Sequence, residues 1–439
     1  MVKLAFDGKG ARRRAVLCCA VATVLVLAAC KPSPSPASAA PKTAPAPVTI
    51  SALIWAPDWQ DEMRSIAAEF NRLNPDVRVE LEFMSGNSVE ANLKPKVAAR
   101  ALPDLMSVNP NAYAAELADR GMLADVGTSL AWQRLRPGLK ADWLSPNGKR
   151  FGIAGGVAAT LIYYNKSMFR QAGIDRLPTS FAEFLGVCER LKQAGFTPLY
   201  LSGAFPNLIA NGAFSFGFAN NIVTTTPDWK ARIADGTLVL DSGAGADIFG
   251  KIRTLAQRGY TQAKPMESGY PDSISSFAEG RTAMAFDGTW AAGGLLHPQG
   301  FEVGVLVPPW NDQGHTSVPV IGSETGFAVG ETANKALALR FLEYLSGPGF
   351  TIQQKKRQNI APFAAETATQ DGDPLILAYL EQIGRAPVTG SPYYSMLPAN
   401  TIDMLHLLIG DVLSNRLTPR QAARRLQTSI RDEARSNNK

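Results

Sequence analysis

The folded part of the chain begins with Val48-Thr49-Ile50-Ser51-Ala52-Leu53-Ile54-Trp55, a run of β-branched and apolar residues that predicts a buried strand. Apolar residues then recur at helical spacing from Met63 to Leu73 and stop before Asn74-Pro75. Residues 77–83, VRVELEF, alternate between apolar and polar and predict a second strand, and residues 103–108 predict a third. This order of strands and helices predicts an α/β layer with a mainly parallel sheet.

Similar units recur further along the chain. Residues 159–164 and 197–201 predict strands, and Ser180 with Glu183 has the pattern of a capped helix between them. Cys188 lies on the apolar face of that helix, which predicts a small core residue. Thr418 begins a Thr-Pro-x-Gln pattern that predicts the start of a last helix. Two α/β lobes are the simplest interpretation of a folded part this long.

The N-terminus has the layout of an export signal. Arg12, Arg13 and Arg14 precede a mostly apolar run, Ala15 to Ala29, that is shorter than the roughly 20 residues needed to span a bilayer. The run ends in Leu27-Ala28-Ala29-Cys30, which resembles the bacterial lipobox, in which the cysteine is lipidated and becomes the new N-terminus. The alternatives are an ordinary signal peptide with a chance cysteine and a buried apolar helix.

We therefore expect residues 1–29 to be a lipoprotein signal peptide and Cys30 to carry the lipid. Residues 30–47 are rich in Pro, Ala and Ser and predict a spacer that holds the folded part away from the membrane. The mature chain is expected to be exported, in the periplasm or at the cell surface, and anchored to a membrane.

Charge and composition argue against a nucleic-acid-binding protein and against a metalloprotein. The formal net charge is +6, and residues 1–29 hold five basic residues and one acidic residue, so removing this +4 leaves +2. Basic residues do not cluster as a nucleic-acid groove requires, and short runs such as Lys355-Lys356-Arg357 predict solvated faces. We expect no metal site and no cofactor, because the three histidines lie far apart in the sequence: His297, His315 and His406.

Several short phrases follow one another in a characteristic order: Ile50 to Trp55, Glu69-Phe70-Asn71, Asn74-Pro75-Asp76-Val77, Leu102-Pro103-Asp104-Leu105, Tyr163-Tyr164-Asn165-Lys166-Ser167-Met168-Phe169, Leu177-Pro178-Thr179-Ser180-Phe181, Gly280-Arg281-Thr282-Ala283-Met284 and Gly288-Thr289-Trp290. Their order and spacing resemble the extracellular solute-binding proteins of bacterial ATP-driven (ABC) importers, in the sugar-binding family that includes maltose-binding protein. The resemblance extends from about Val48 to about residue 430, which is nearly the whole mature chain.

The resemblance implies the type II periplasmic-binding-protein fold, with two α/β lobes that are each a mainly parallel sheet flanked by helices. Hinge strands would join the lobes, and the chain would cross between them three times. Lobe 1 would hold residues 48–157 and 304–335, and lobe 2 would hold residues 158–303 and 336–439. A ligand would bind in the cleft between the lobes and close it.

Sugar recognition requires flat aromatic faces and well-placed polar groups. In the first lobe, the loop after the first strand offers Trp55, Asp58 and Trp59, although Trp55 could equally belong to the core. Asn109 and Asn111 follow the third strand and are further candidates, with turn formation as the alternative.

The remaining candidates come from later segments and carry alternatives of their own. Asp287 and Trp290 belong to a phrase that resembles the family's Gly-x-Trp, whose indole forms a stacking platform, although a packed Trp is also consistent. Glu324 could accept sugar hydroxyls or cap a helix. The opposite wall and lid are predicted from Phe205, Asn207 and Tyr394.

The chain departs from the maltose-type pattern at Ala158, where that relative offers a carboxylate, so the pattern of hydroxyls that it binds stays open. We predict a monomeric, non-catalytic receptor that delivers a sugar or polyol to a membrane permease. The alternatives are an exported glycosidase, because Asp58, Asp287 and Glu324 could supply paired carboxylates, and a ligand-sensing protein that signals to a receptor.

Overall fold

The computed structural model describes residues 46–241, 243–363 and 373–437. The predicted signal peptide, Cys30 and nearly all of the predicted spacer lie outside these residues. Ala46 onward forms one compact unit. Among the described helices, none combines the length and the apolar character that crossing a membrane requires.

The described residues form nine strands in two sheets, and the first five correspond to the five predicted strands: β1 Val48–Ile54, β2 Val77–Phe83, β3 Leu105–Val108, β4 Val157–Asn165, β5 Thr197–Leu199, β6 Thr282–Gly288, β7 Val303–Leu306, β8 Ile321–Ser323 and β9 Gly326–Val329.

Helices connect and cover the strands of the described residues: α1 Gln60–Leu73, α2 Val89–Ala98, α3 Ala112–Asp119, α4 Leu130–Arg134, α5 Pro137–Lys140, α6 Lys166–Gln171, α7 Phe181–Gln193, α8 Pro206–Ile209, α9 Ser215–Phe218, α10 Trp229–Ala234, α11 Gly243–Gln257, α12 Tyr270–Ala278, α13 Ala292–Leu295, α14 Lys335–Leu345, α15 Pro348–Arg357, α16 Pro374–Gly384, α17 Tyr393–Met396, α18 Ala399–Leu413 and α19 Pro419–Asn437. Short 3₁₀ turns lie at Ala141–Trp143, Pro265–Glu267 and Thr289–Ala291, and π-helical turns at Ala210–Phe214 and Ala219–Val223.

Helix caps form largely where the sequence predicts them. The Ser180 side chain accepts a hydrogen bond from the Glu183 N–H at the start of α7. Thr418 and Gln421 form a reciprocal capping box, since each side chain accepts from the other residue's N–H. Cys188 is fully buried in the core beneath α7, as predicted.

The first sheet has the order β2-β1-β3-β9 and confirms the predicted α/β layer. β1 pairs in parallel with both β2 and β3, and β9 joins antiparallel at the edge. Alternate apolar residues of β1 and β2 face α1, so Phe70 packs between the sheet and α14. This sheet, its helices and their shared core constitute the first lobe.

The second sheet has the order β5-β6-β4-β7, with β8 paired to the start of β4, and it differs from the predicted mainly parallel arrangement. Only β5 and β6 are parallel, whereas β4 pairs antiparallel with β6, β7 and β8. β4 therefore runs opposite to all three of its neighbours, and β5 alone adds a parallel pair through β6. Hydrophobic cores cover both faces of this sheet, which forms the second lobe.

The lobe boundaries implied by the resemblance differ from the packing in two places. β7 pairs with β4, so residues 304–306 lie in the second sheet rather than in lobe 1. α14 and α15 pack into the first core through Phe341 and Phe350, although the implied boundary puts everything after residue 335 in lobe 2. These helices follow the last strand of the first sheet and return to cover it.

The two lobes meet at β4 and β8, where Val157 lies opposite Ser323 and Ala159 opposite Ile321. At Gly156, directly before β4, an added Cβ would lie 2.0 Å from a Glu324 carboxylate oxygen, so a side chain there would displace Glu324. Gly156 therefore allows the two chain segments to approach each other closely.

We expect Phe70→Ala to lower the free energy of unfolding by about 3–5 kcal/mol, because it removes a ring that packs against Phe341 and Tyr344 with centroid distances of 4.8 and 5.4 Å. Leu73→Ala in the same helix is the matched control, since Leu73 is 52% exposed, and should change stability by less than about 0.5 kcal/mol. Urea denaturation monitored by circular dichroism measures both. Equal losses would contradict this account of the core.

Candidate functional site

A cavity that opens to solvent lies between the two lobes, and its empty space, counted together with the solvent at its mouth, is about 850 Å³. Nine of the eleven residues that the sequence predicts for a site line it: Trp55, Asp58, Trp59, Asn109, Phe205, Asn207, Trp290, Glu324 and Tyr394. The first-lobe residues follow the carboxyl ends of β1 and β3, where parallel strands present ligand contacts.

Aromatic side chains from both lobes stack across the cavity. Trp55 of the first lobe stacks on Phe205 of the second, with ring centroids 6.4 Å apart and planes 19° apart. Phe205 in turn stacks on Tyr270, at 5.2 Å and 23°. Trp290 folds its indole over Gly288, where an added Cβ would clash with the ring at 2.2 Å. Trp55 is half-buried: it lines the cavity and also packs against the hydrophobic core of the first lobe.

One wall of the cavity is an unusual helix. α8 and α9 alternate with the two π-helical turns to give one continuous helical run over residues 206–223. π-helical turns are rare and often mark functional sites. Asn207 and Asn211 of this run line the cavity, and their Oδ1 atoms are buried with no hydrogen-bond partner among the described residues.

A buried ion pair forms another wall. Arg357 Nη2 donates to Glu324 Oε1 at 2.5 Å, and both side chains are nearly buried. Asn359 donates to the second oxygen of Glu324 at 3.3 Å, and the Arg357 guanidinium lies 5.2 Å from the centre of the Trp59 ring. Glu324 therefore faces the cavity already paired, and it does not cap a helix.

Asp58 supplies a carboxylate that accepts a hydrogen bond from its own backbone N–H and has no hydrogen bond or ion pair to another of the described residues. Solvent reaches it through the cleft, but protein surrounds most of the group. Burial raises the pKa of Asp58, which the charge of Arg357 partly offsets. Its oxygens are free to accept hydrogen bonds from a molecule in the cavity.

Two predicted contacts do not line the cavity. Asn111 is the N-cap of α3, and its amide donates to Glu90 Oε1 at 2.7 Å and to the Tyr394 carbonyl oxygen at 3.1 Å. Asp287 is fully buried, with Oδ1 accepting from the Gly288 N–H at 2.8 Å. Neither side chain reaches the cavity, because Asn111 is used to cap α3 and Asp287 is buried within β6.

Several residues that line the cavity were not predicted from the sequence, including Glu90, Tyr270, Gln353 and Arg357. Arg357 is the clearest error, because the basic run at the end of α15 predicts a solvated face and yet this residue is 7% exposed. The sequence carries no local signal for it, since its partner Glu324 comes from another element. Glu90 is buried and accepts from the amides of Asn109 and Asn111.

Four polar atoms of lining residues are buried without a hydrogen-bond partner among the described residues: Asn207 Oδ1, Asn211 Oδ1, Gln353 Nε2 and Arg357 Nε. Buried polar groups in folded proteins are nearly always paired, so such a cluster indicates that a bound molecule or water completes the site. Among the residues that the structure describes, no group of acidic, His or Cys side chains could hold a metal ion.

An interlobe cavity with aromatic walls and unpaired amide groups defines a two-lobed protein that binds a small polar molecule. The chain belongs to the bacterial extracellular solute-binding protein family, whose model matches residues 56–351. This match confirms the family resemblance that the order of the sequence phrases indicates.

Individual relatives are distant. The multiple sugar-binding protein of Streptococcus mutans is 23% identical over 335 residues, which cover 74% of this chain and 76% of the relative. The sn-glycerol-3-phosphate-binding periplasmic protein of Brucella abortus is 23% identical over 268 residues, or 59% of each chain. The solved structure of a chitin oligosaccharide binding protein covers 89% of this chain and 99% of its own, with a TM-score of 0.76 and 20% identity. This likeness confirms the two-lobed fold.

We expect Asp287→Asn to change the pH dependence of stability. Burial raises the pKa of Asp287 well above its ordinary range, and the Gly288 N–H with Trp290 and Tyr270 only partly offsets this. The folded state therefore keeps a proton that the unfolded chain, with a pKa of about 3.9, releases. Stability from this group is complete below the unfolded-state pKa and is lost as the pH rises toward the folded-state pKa.

The free energy of unfolding of Asp287→Asn, measured relative to that of wild type, should thus increase as the pH rises from about 5 to about 8. Urea denaturation at both pH values measures the difference. Asp61→Asn, at a carboxylate that is 85% exposed, is the control and should show no such trend. A constant difference between Asp287→Asn and wild type would contradict the buried, protonated acid.

Proposed function

We propose that the chain is the substrate-binding protein of an ABC importer, which binds an uncharged sugar, either a mono- or an oligosaccharide, or a polyol in the interlobe cavity and delivers it to a membrane permease. The observation that carries this proposal is the combination of stacked aromatic rings and unpartnered amide groups in one cavity. Aromatic faces suit the C–H surface of a sugar ring, and amide groups suit its hydroxyls.

The charges of the cavity support an uncharged ligand. Arg357 is the only basic residue among the described residues that line it, and Glu324 already occupies this guanidinium at 2.5 Å. Asp58 adds a second carboxylate close enough to act on Arg357. A phosphate or carboxylate would meet these acids without a free cation, so this site differs from one built for a phosphorylated polyol.

Binding would stabilise the closed form of the protein. Trp55 and Asp58 come from the first lobe, whereas Phe205, Asn207 and Trp290 come from the second. A ligand that contacts both sets does so only when the lobes are together, so binding and closure are coupled. Such coupling is what a receptor needs to present its loaded form to a permease.

We expect a cognate sugar to raise the melting temperature in a thermal-shift screen, because a ligand at about 100 times its Kd adds about 2.7 kcal/mol of stability. The panel holds monosaccharides, raffinose, chitin oligosaccharides, glycerol and glycerol 3-phosphate. Trp290→Ala should abolish the shift and leave the unliganded melt nearly unchanged, because its indole is half-buried against Gly288.

Trp132→Ala is the matched control, since Trp132 is equally half-buried but lies outside the cavity. A shift with glycerol 3-phosphate alone would contradict an uncharged ligand, and a shift that survives Trp290→Ala would remove this residue from the site. Chromatography of the same mixtures separates a receptor from an exported glycosidase, because only the enzyme would release monosaccharide.

We further propose that Cys30 is lipidated and that the mature protein is anchored to a membrane, with the segment before Val48 as its tether. Cys30→Ser should move the chain from the membrane fraction to the soluble fraction of cells and remove the mass of the lipid from the intact protein. Cys188→Ser is the control, because Cys188 is buried and should not affect anchoring. Unchanged fractionation of Cys30→Ser would contradict the anchor.

A further inference from the structure

A polar contact joins the two lobes outside the cavity. Lys94 Nζ donates to Asn400 Oδ1 at 2.8 Å and to Asp403 Oδ2 at 3.1 Å. Lys94 belongs to α2, which packs into the first core through Leu93, and Asp403 belongs to α18, which packs into the second core through Ile402. The contact is half-exposed, with 31% and 39% of the two charged side chains accessible.

The same face of α2 carries a lining residue of the cavity. Glu90 and Lys94 are four residues apart and therefore lie on one side of the helix. Glu90 lines the cavity and holds Asn111, whose amide reaches the Tyr394 carbonyl oxygen of the segment before α18. One helix face thus meets both the cavity and the opposite lobe.

The far side of the contact is fixed by α19. Glu433 accepts hydrogen bonds from the backbone N–H of Asn400 and Thr401, both at 3.0 Å, and from the Thr401 hydroxyl. α18 begins after Pro398, which offers no side-chain cap, so Glu433 satisfies the free N–H groups of its first turn. Asn400 and Asp403 are therefore held in place as parts of the second lobe.

We propose that Lys94, Asn400 and Asp403 form a latch that closes the cleft in the absence of ligand and thereby regulates the affinity of the site. Opening the cleft separates α2 from α18 and breaks the latch, so the latch favours the closed form. Its effect on affinity rests on the proposed function, but its effect on closure does not. Because half-exposed ion pairs are weak and screened by salt, we expect a shift of about five-fold in the ratio of closed to open molecules.

The test is a distance measurement between the lobes of the ligand-free chain. Spin labels are placed at Leu73→Cys and Leu407→Cys, which are 52% and 65% exposed and lie on different lobes, in a chain with Cys18→Ser, Cys19→Ser and Cys30→Ser. Cys188 is fully buried and does not react with the label. Pulsed electron paramagnetic resonance then resolves the closed and open populations separately.

Lys94→Met should raise the open population by about five-fold, and added salt should open the wild type but not this variant. Lys96→Met is the matched control, since Lys96 lies on the same helix, is also 31% exposed and pairs with Glu82 of its own lobe at 2.8 Å. Asp403→Asn should act like Lys94→Met, and the exchange Lys94→Asp with Asp403→Lys should restore closure.

Distance distributions of Lys94→Met and Asp403→Asn that match those of wild type and Lys96→Met would overturn the latch, whether or not any sugar binds. If the latch holds and raffinose binds, Lys94→Met should weaken its apparent affinity by up to about the same five-fold factor. Raffinose binding with unchanged affinity in an opened variant would overturn the regulatory part of the proposal.

Discussion

The buried ion pair between Arg357 and Glu324 is the interaction on which the arrangement of the lobes depends. It joins the end of α15 to the connection between β8 and β9, at the place where the chain passes from one lobe to the other. Gly156 leaves just enough room for the Glu324 carboxylate beside β4. Removing one partner of such a pair costs about 3–5 kcal/mol because the other charge stays buried. The pair therefore holds the connection between β8 and β9, where the chain passes between the lobes, next to the cavity.

The cavity follows from this geometry. Each lobe has its own hydrophobic core, so the surfaces that face each other across the hinge need not bury apolar area to be stable. They can instead present aromatic rings and amide groups whose partners are missing in the protein alone. The proposed ligand supplies those partners, and the proposed latch between α2 and α18 decides how often the site is assembled before it arrives.

Much of the fold could be predicted because its signals are local. The spacing of Met63, Ile66 and Phe70 and the strict alternation in β2 identified the first lobe, and the capping pattern at Thr418 located α19. The direction of the strands in the second sheet could not be predicted in this way. β4 and β6 pair across more than a hundred residues, and no local pattern carries that information.

The candidate site shows the same limit. Residues that follow strand ends, such as Trp59 and Asn109, were predictable from the topology of α/β sheets. Arg357 was not, because its burial results from Glu324 and Trp59, which come from other elements. Asn111 and Asp287 have the right residue type and position along the chain, but one caps a helix and the other lies beneath the wall.

The helical wall of residues 206–223 has a consequence of its own. A π-helical turn holds one more residue than an α-helical turn, so deleting one residue from such a turn would restore regular helix and rotate the flanking residues by about 100° relative to each other. Asn207, before the first π-helical turn, would then rotate relative to Ser215 after it, whose hydroxyl accepts a hydrogen bond from the Tyr393 N–H. A change of chain length in this wall, rather than an exchange of side chains, is thus the simplest route by which descendants of this protein could come to recognise a different molecule.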